Sequence, residues 1–175
     1  MENLMLRRML VRTAAGGLAA CLLLAQTPPG QVPDSVLYIA VFHRIEGTKT
    51  FADKLAGEKK DDKPVRNSTR TGIGLTEAEY AAIEPIALDC LAQQTANFQA
   101  RGALLKQIHD QGQPATAAQA AQMNALITAN TAQIGSHIAQ LRTTLGPASF
   151  GKLDAWAHTT VLPAIGYKQM QRGVK

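Results

Sequence analysis

Two four-residue signatures constrain this chain more than any other feature. Thr76-Glu77-Ala78-Glu79 and Thr116-Ala117-Ala118-Gln119 each precede a long run of apolar residues spaced at three and four positions. In such a capping box the threonine hydroxyl accepts from the backbone amide three residues on. The Glu or Gln side chain reaches back to the threonine amide, so each box marks a helix start. Leu75 and Tyr80 flank the first box at the positions of a hydrophobic staple. Beyond it Tyr80, Ile83, Ala87, Leu91, Phe98, Leu105 and Ile108 share one helical face, which predicts a helix from 76 to about 111. Pro85 removes a backbone donor inside that run, so a kink or short break is expected near Glu84. After a turn at Gly112–Pro114, the residues Ala120, Met123, Ile127, Asn130, Ile134, Ile138, Leu141 and Leu145 recur at near-heptad spacing and predict a helix over 116–145. Two long helices joined by a short turn make an antiparallel hairpin.

The remaining segments dress this hairpin. Asp34 and Ser35 are candidate caps for a helix over 35–58 with Val36, Ile39, Phe42, Ile45 and Leu55 on its apolar face. Residues 57–74, GEKKDDKPVRNSTRTGIG, are charged and lack periodicity, so they read as a polar loop. Gly146-Pro147 opens a last helix that carries Phe150, Leu153, Ala157 and Val161 and ends by Leu162, before Pro163. Residues 163–175, with Lys168, Arg172 and Lys175, read as a basic flexible tail. The fold class is therefore all-α, with about four helices built on a long antiparallel helical hairpin after an N-terminal signal segment. Residues 35–162 form the helical domain.

Residues 1–26 read as a signal peptide. Arg7, Arg8 and Arg12 face a single acid, Glu2, ahead of the uncharged apolar run TAAGGLAACLLLA at 13–25. A Pro/Gly linker at 27–34 follows. A basic start, a short apolar centre and a breaker define an export leader, and the run is shorter than the roughly 20 residues of a membrane span. Arg7-Arg8 is compatible with the twin-arginine or the general secretory route. Leu18-Ala19-Ala20-Cys21 is shaped like a lipobox, but Leu22, Leu23 and Leu24 follow where polar residues belong, so cleavage near Ala25 is preferred to an anchor on Cys21. The expected location is periplasmic or secreted, with no integral membrane span after processing. Of the formal charge of +5, the leader holds +2, and the remaining +3 is too small for a nucleic-acid footprint.

Chemistry is thin. Cys90 would be the one cysteine left after processing, and on an apolar helix face it reads as a buried, inert thiol. His43, His109, His137 and His158 are scattered, and no two sit at metal-ligand spacing. Asp154 and His158 are four residues apart, the spacing of an ordinary helix-surface pair, while Asp89 with Cys90 could enter a composite site only through tertiary contact. Glu77, Glu79 and Glu84 suit a helix N-terminus without any ligand. Gly72-Ile73-Gly74 is not a nucleotide fingerprint. No catalytic or cofactor-binding residue is identified, no cofactor is expected, and metal binding by the histidines is left open. Glutamines at 93, 94, 99, 119, 122, 133 and 140 give the hairpin a neutral surface, with Phe98, Ile108 and Met123 close by.

Two stretches resemble the LTxxQ class of periplasmic stress proteins. Leu75-Thr76-Glu77-Ala78-Glu79 matches its helix-starting element, with Glu79 in the place of Gln. Leu141–Trp156, LRTTLGPASFGKLDAW, resembles the second element, with Gly146 in the place of Thr and Ser149 in the place of Gln. The resemblance implies an exported helical hairpin acting as an ATP-independent chaperone or as an envelope-stress or metal-response accessory. The expectation is a non-enzymatic envelope protein that binds protein partners or unfolded clients. The alternatives are an assembly subunit dimerising through its hairpin and a metal-responsive periplasmic binder.

Overall fold

A computed structural model describes residues 32–165. The expected leader at 1–26 lies outside the described residues, as do most of the linker that follows it and positions 166–175 of the expected tail. The described chain is helical: α1 spans Asp34–Gly57, α2 Lys63–Ile73, α3 Glu77–Asp110 and α4 Ala117–Trp156, followed by a π-helical stretch at Ala157–Val161.

Both capping boxes form. The Thr76 hydroxyl accepts from the Glu79 amide at 3.2 Å while Glu79 Oε2 accepts from the Thr76 amide at 2.7 Å. Thr116 and Gln119 repeat the exchange at 3.2 and 2.9 Å. Leu75 and Tyr80 are both buried, as a staple requires. α3 and α4 pair as the expected hairpin, turning at Gly112 with φ +60°. The break expected near Glu84 is absent, because α3 runs unbroken through Pro85. Pro85 and Ala81 are exposed, so water can meet the Ala81 carbonyl that the proline leaves without its amide.

The loop expected over 57–74 contains α2. Pro64 occupies the first turn, where its missing amide costs nothing, and Gly74 ends the helix at φ +80°. The amides of Gly74 and Leu75 bond back to the carbonyls of Thr71 and Arg70, both at 3.1 Å. This pair of bonds is the Schellman arrangement, and it needs a residue at ease in the left-handed region. Only Thr69 and Ile73 of α2 are buried, one turn apart.

α4 also differs in detail. Gly146 (φ +68°, ψ 171°) interrupts its helical backbone where the sequence placed a helix start, and Pro147 opens the second part. The expected end at Leu162 is not seen, since helix continues through Pro163 to residue 165. The π-helical stretch explains this. The Leu162 amide reaches Ala157 O, which widens the turn ahead of Pro163 and relieves the clash of its ring with the preceding carbonyls.

The core joins the first part of α1, the first part of α3 and the end of α4, with α2 closing one side. Leu37, Tyr38, Val41, Phe42 and Ile45 turn inward from α1, whereas Val36, which the sequence placed on the apolar face, is exposed. Both phases of VLYIAVF are apolar, and the phase with the larger aromatic pair is the one that packs. The Tyr38 and Phe150 rings stack with centroids 6.0 Å apart. Gly72 lies under Trp156, where an added Cβ would meet the indole nitrogen at 3.4 Å.

Candidate functional site

The main hydrophobic cluster has no member between Leu91 and Ile134. The hairpin therefore continues past the core as a two-helix arm, residues 92–110 of α3 and 117–133 of α4. Its seam follows helical spacing. Asn97, Arg101, Leu104 and Ile108 face Gln119, Met123, Leu126 and Asn130, and these eight side chains are buried or half-buried. Asn97 Nδ2 donates across the seam to Leu126 O at 2.9 Å, and Gln119 Nε2 donates to Gln111 Oε1 at 3.1 Å near the turn.

The seam positions fix the two flanks. In an antiparallel pair of right-handed helices, the residues that follow seam positions on both helices lie on the same side. Here that side carries Phe98, Gly102 and Leu105 from α3 with Ala120 and Ile127 from α4. Phe98, Leu105 and Ile127 are 52%, 56% and 42% exposed, three of the five large apolar side chains that stand out in solvent among the described residues. The opposite flank is alanine: Ala96, Ala100 and Ala103 beside Ala118, Ala125 and Ala129, all exposed. Arg101, Lys106 and Asp110 are the only formal charges between 92 and 133, and the Arg101 guanidinium lies 5.7 Å from the Phe98 ring centroid. A surface of this kind excludes little that is apolar and repels neither sign of charge.

The titratable candidates take separate places. His137 is buried in the α3–α4 seam, with Nε2 2.9 Å from Asp89 Oδ2 and Nδ1 2.9 Å from Gln133 O. The hydrogen bond from His137, then that from Gln93, holds the Asp89 carboxyl below its ordinary range. Cys90 is fully buried beside this pair, and burial pushes its thiol up to about 11, far from the thiolate a nucleophile needs. Asp154 and His158 form the expected helix-surface pair, loosely, at 3.8 Å. The same Asp154 oxygen also accepts from the Tyr38 hydroxyl at 2.8 Å. His43 lies 3.2 Å from exposed Glu46, and His109 is exposed near the hairpin turn. Among the described residues no three His, Cys, Asp or Glu side chains converge as metal ligands.

Glu79 does more than cap. Its Oε1 accepts from Ser149 Oγ at 2.5 Å, so the start of α3 and the second part of α4 meet through these two side chains. The Ser149 bond, followed by the Thr76 amide and hydroxyl, pulls the Glu79 carboxyl down to about 2. Glu77 and Glu84 line a cleft against α2. Neither the Asp89–His137 pair nor this cleft was legible in the sequence, because each forms only when side chains of different helices pack together.

Comparison with known protein families, with characterised proteins and with solved structures finds no match to this chain. Among the described residues no helix is long and apolar enough to cross a membrane.

Proposed function

We propose that this is a non-enzymatic protein of the cell envelope that binds other proteins through its two-helix arm, holding exposed apolar segments without ATP. The observation that carries the reading is the flank of Phe98, Leu105 and Ile127, which is exposed on an arm with almost no charge. Exposed apolar surface on a soluble element has a cost in water that contact with a partner removes. The Ser149–Glu79 contact and the basic, apolar N-terminal segment support the stress-protein and export parts of the reading.

The test is suppression of aggregation of reduced insulin, followed by light scattering. At equimolar protein the scattering is expected to fall. The triple variant Phe98→Ser, Leu105→Ser, Ile127→Ser is expected to lose that effect while keeping its helical circular dichroism. No suppression by the natural sequence, or equal suppression by the variant, removes the proposal. The alanine flank favours a second reading, self-association of two arms, because small side chains let helices approach closely. A native mass twice that of the chain, returned to the monomer mass by Ala100→Glu with Ala125→Glu, would select it.

A further inference from the structure

Away from the arm, α1, α2 and α3 enclose a cleft of about 390 Å³, within the range of small-ligand sites. Its first wall is one face of α2. Lys63, Arg66, Asn67 and Arg70 share it, with 63/66 and 67/70 three residues apart and 63/67 and 66/70 four apart, and all line the cleft. The second wall is α3, with Glu77, Tyr80 and Glu84 at the same spacing. Two of the cations that line the cleft are already neutralised. Arg66 pairs with Asp53 at 2.8 Å and with Asp62, and Lys49 pairs with Asp53 at 2.5 Å. Lys63 and Arg70 on one wall and Glu77 and Glu84 on the other form no ion pair among the described residues. Opposite charges thus face each other across open space without closing on one another.

The floor holds a second, independent feature. Tyr80 is 7% exposed, and its hydroxyl has no hydrogen-bond partner among the described residues. The Thr48 and Thr69 hydroxyls are bonded to each other at 2.6 Å and lie close enough to the phenol to oppose the rise in its pKa, without closing a well-formed hydrogen bond on it. A buried hydroxyl left without a partner is unfavourable, so a polar group that reaches it from the cleft is favoured. Burial and the charge of Glu84 push the phenol up to about 12, so it remains a neutral donor.

We propose that this cleft binds a short zwitterion of dipeptide size, with its carboxylate toward Lys63 and Arg70, its ammonium toward Glu77 and Glu84, and Tyr80 bonding its middle. A simple anion would face two carboxylates, and a simple cation would face two basic side chains. Two extended residues span about 7 Å, a size that a cleft of about 390 Å³ can hold. Arg70 is held beside the cleft by Asn67, whose Oδ1 accepts from its Nε and Nη2 at 3.2 and 3.0 Å, which leaves its Nη1 free to donate.

The experiment is calorimetric titration of the full chain with L-alanyl-L-alanine, with its N-acetyl amide, with inorganic phosphate and with putrescine. The dipeptide is expected to bind at least about tenfold more tightly than each of the other three. Arg70→Gln and Glu84→Gln are each expected to weaken it about tenfold. Should either variant lose its fold, Lys63→Gln and Glu77→Gln, both at exposed positions, take its place. Absence of dipeptide heat overturns the proposal. So does phosphate binding that survives Glu84→Gln unchanged, which would make the cleft an anion site.

Discussion

At the scale of single residues, Glu79 links the start of α3 to the second part of α4. Its carboxyl is held near 2 in the folded protein against an ordinary 4.5. A depressed folded-state value means the unfolded chain takes up the proton first as pH falls. The stabilisation is therefore complete above about pH 4.5 and is lost progressively as pH drops toward about 2. Urea midpoints measured across that window are expected to fall for the natural sequence and to fall less for Ser149→Ala, which removes the largest cause of the depression. Identical acid limbs would show that the Ser149–Glu79 bond does not form. Cys90 supports a second expectation: a disulfide reagent such as DTNB should label it only as the protein unfolds, because the thiol is buried and its ionisation suppressed. Rapid labelling of the native state would contradict the packing around it. The inert character of Cys90 was legible from its neighbours on an apolar face. The partner of His137 was not, since Asp89 lies 48 positions away and the sequence favoured the local pair Asp154–His158 instead.

At the scale of elements, the capped helix starts were legible and the helix faces only in part: Tyr80, Ile83, Ala87 and Leu91 turn inward as expected, whereas Phe98 and Leu105 of the same expected face are exposed. A capping box is a local reciprocal bond that four residues decide by themselves, which explains why α3 and α4 begin where the boxes stand. α2 was missed because two buried side chains in a polar helix leave almost no apolar period, although Pro64 and Gly74 marked its ends. Which face of α1 turns inward is a tertiary choice, settled by the stacking of Tyr38 on Phe150. The glycines test the helix ends directly. Gly146 and Gly74 have φ of +68° and +80°, and no backbone or buried atom crowds a Cβ at either one. Alanine there is expected to cost about 1–2 kcal/mol from backbone strain alone. Gly135 lies inside α4 with open space around it and no positive φ. Gly135→Ala is expected to add about 0.5–1 kcal/mol of stability. Chemical denaturation of the three variants checks the contrast, and a loss at Gly135 equal to that at Gly146 would refute it.

At the scale of the molecule, core and arm differ in what holds them. The core end buries large side chains from three helices, among them Tyr38, Phe42, Ile83 and Leu153. The arm seam between Leu91 and Ile134 fully buries one large aliphatic side chain, Leu104, half-buries Ile108, Met123 and Leu126, and otherwise relies on polar side chains. Asn97 Oδ1, Arg101 Nε and Asn130 Oδ1 are buried there without partners. Each such atom subtracts from a seam that has little apolar area to offset it. The arm is therefore expected to open in a step of lower free energy than global unfolding. Native-state hydrogen exchange should show amides of 98–108 and 120–130 exchanging well before those of 38–45 and 83–91. Leu104→Ala should widen the gap by about 2–3 kcal/mol without lowering protection of the core amides. Uniform protection along α3 would end both this expectation and the functional use of it. An arm that opens separately presents the polar seam and the Phe98–Leu105 flank together, while the Glu79–Ser149 joint and the core keep its base fixed. Under the proposed function, partner binding and arm opening are coupled, so a bound partner should shift exchange in the arm and leave the core amides unchanged.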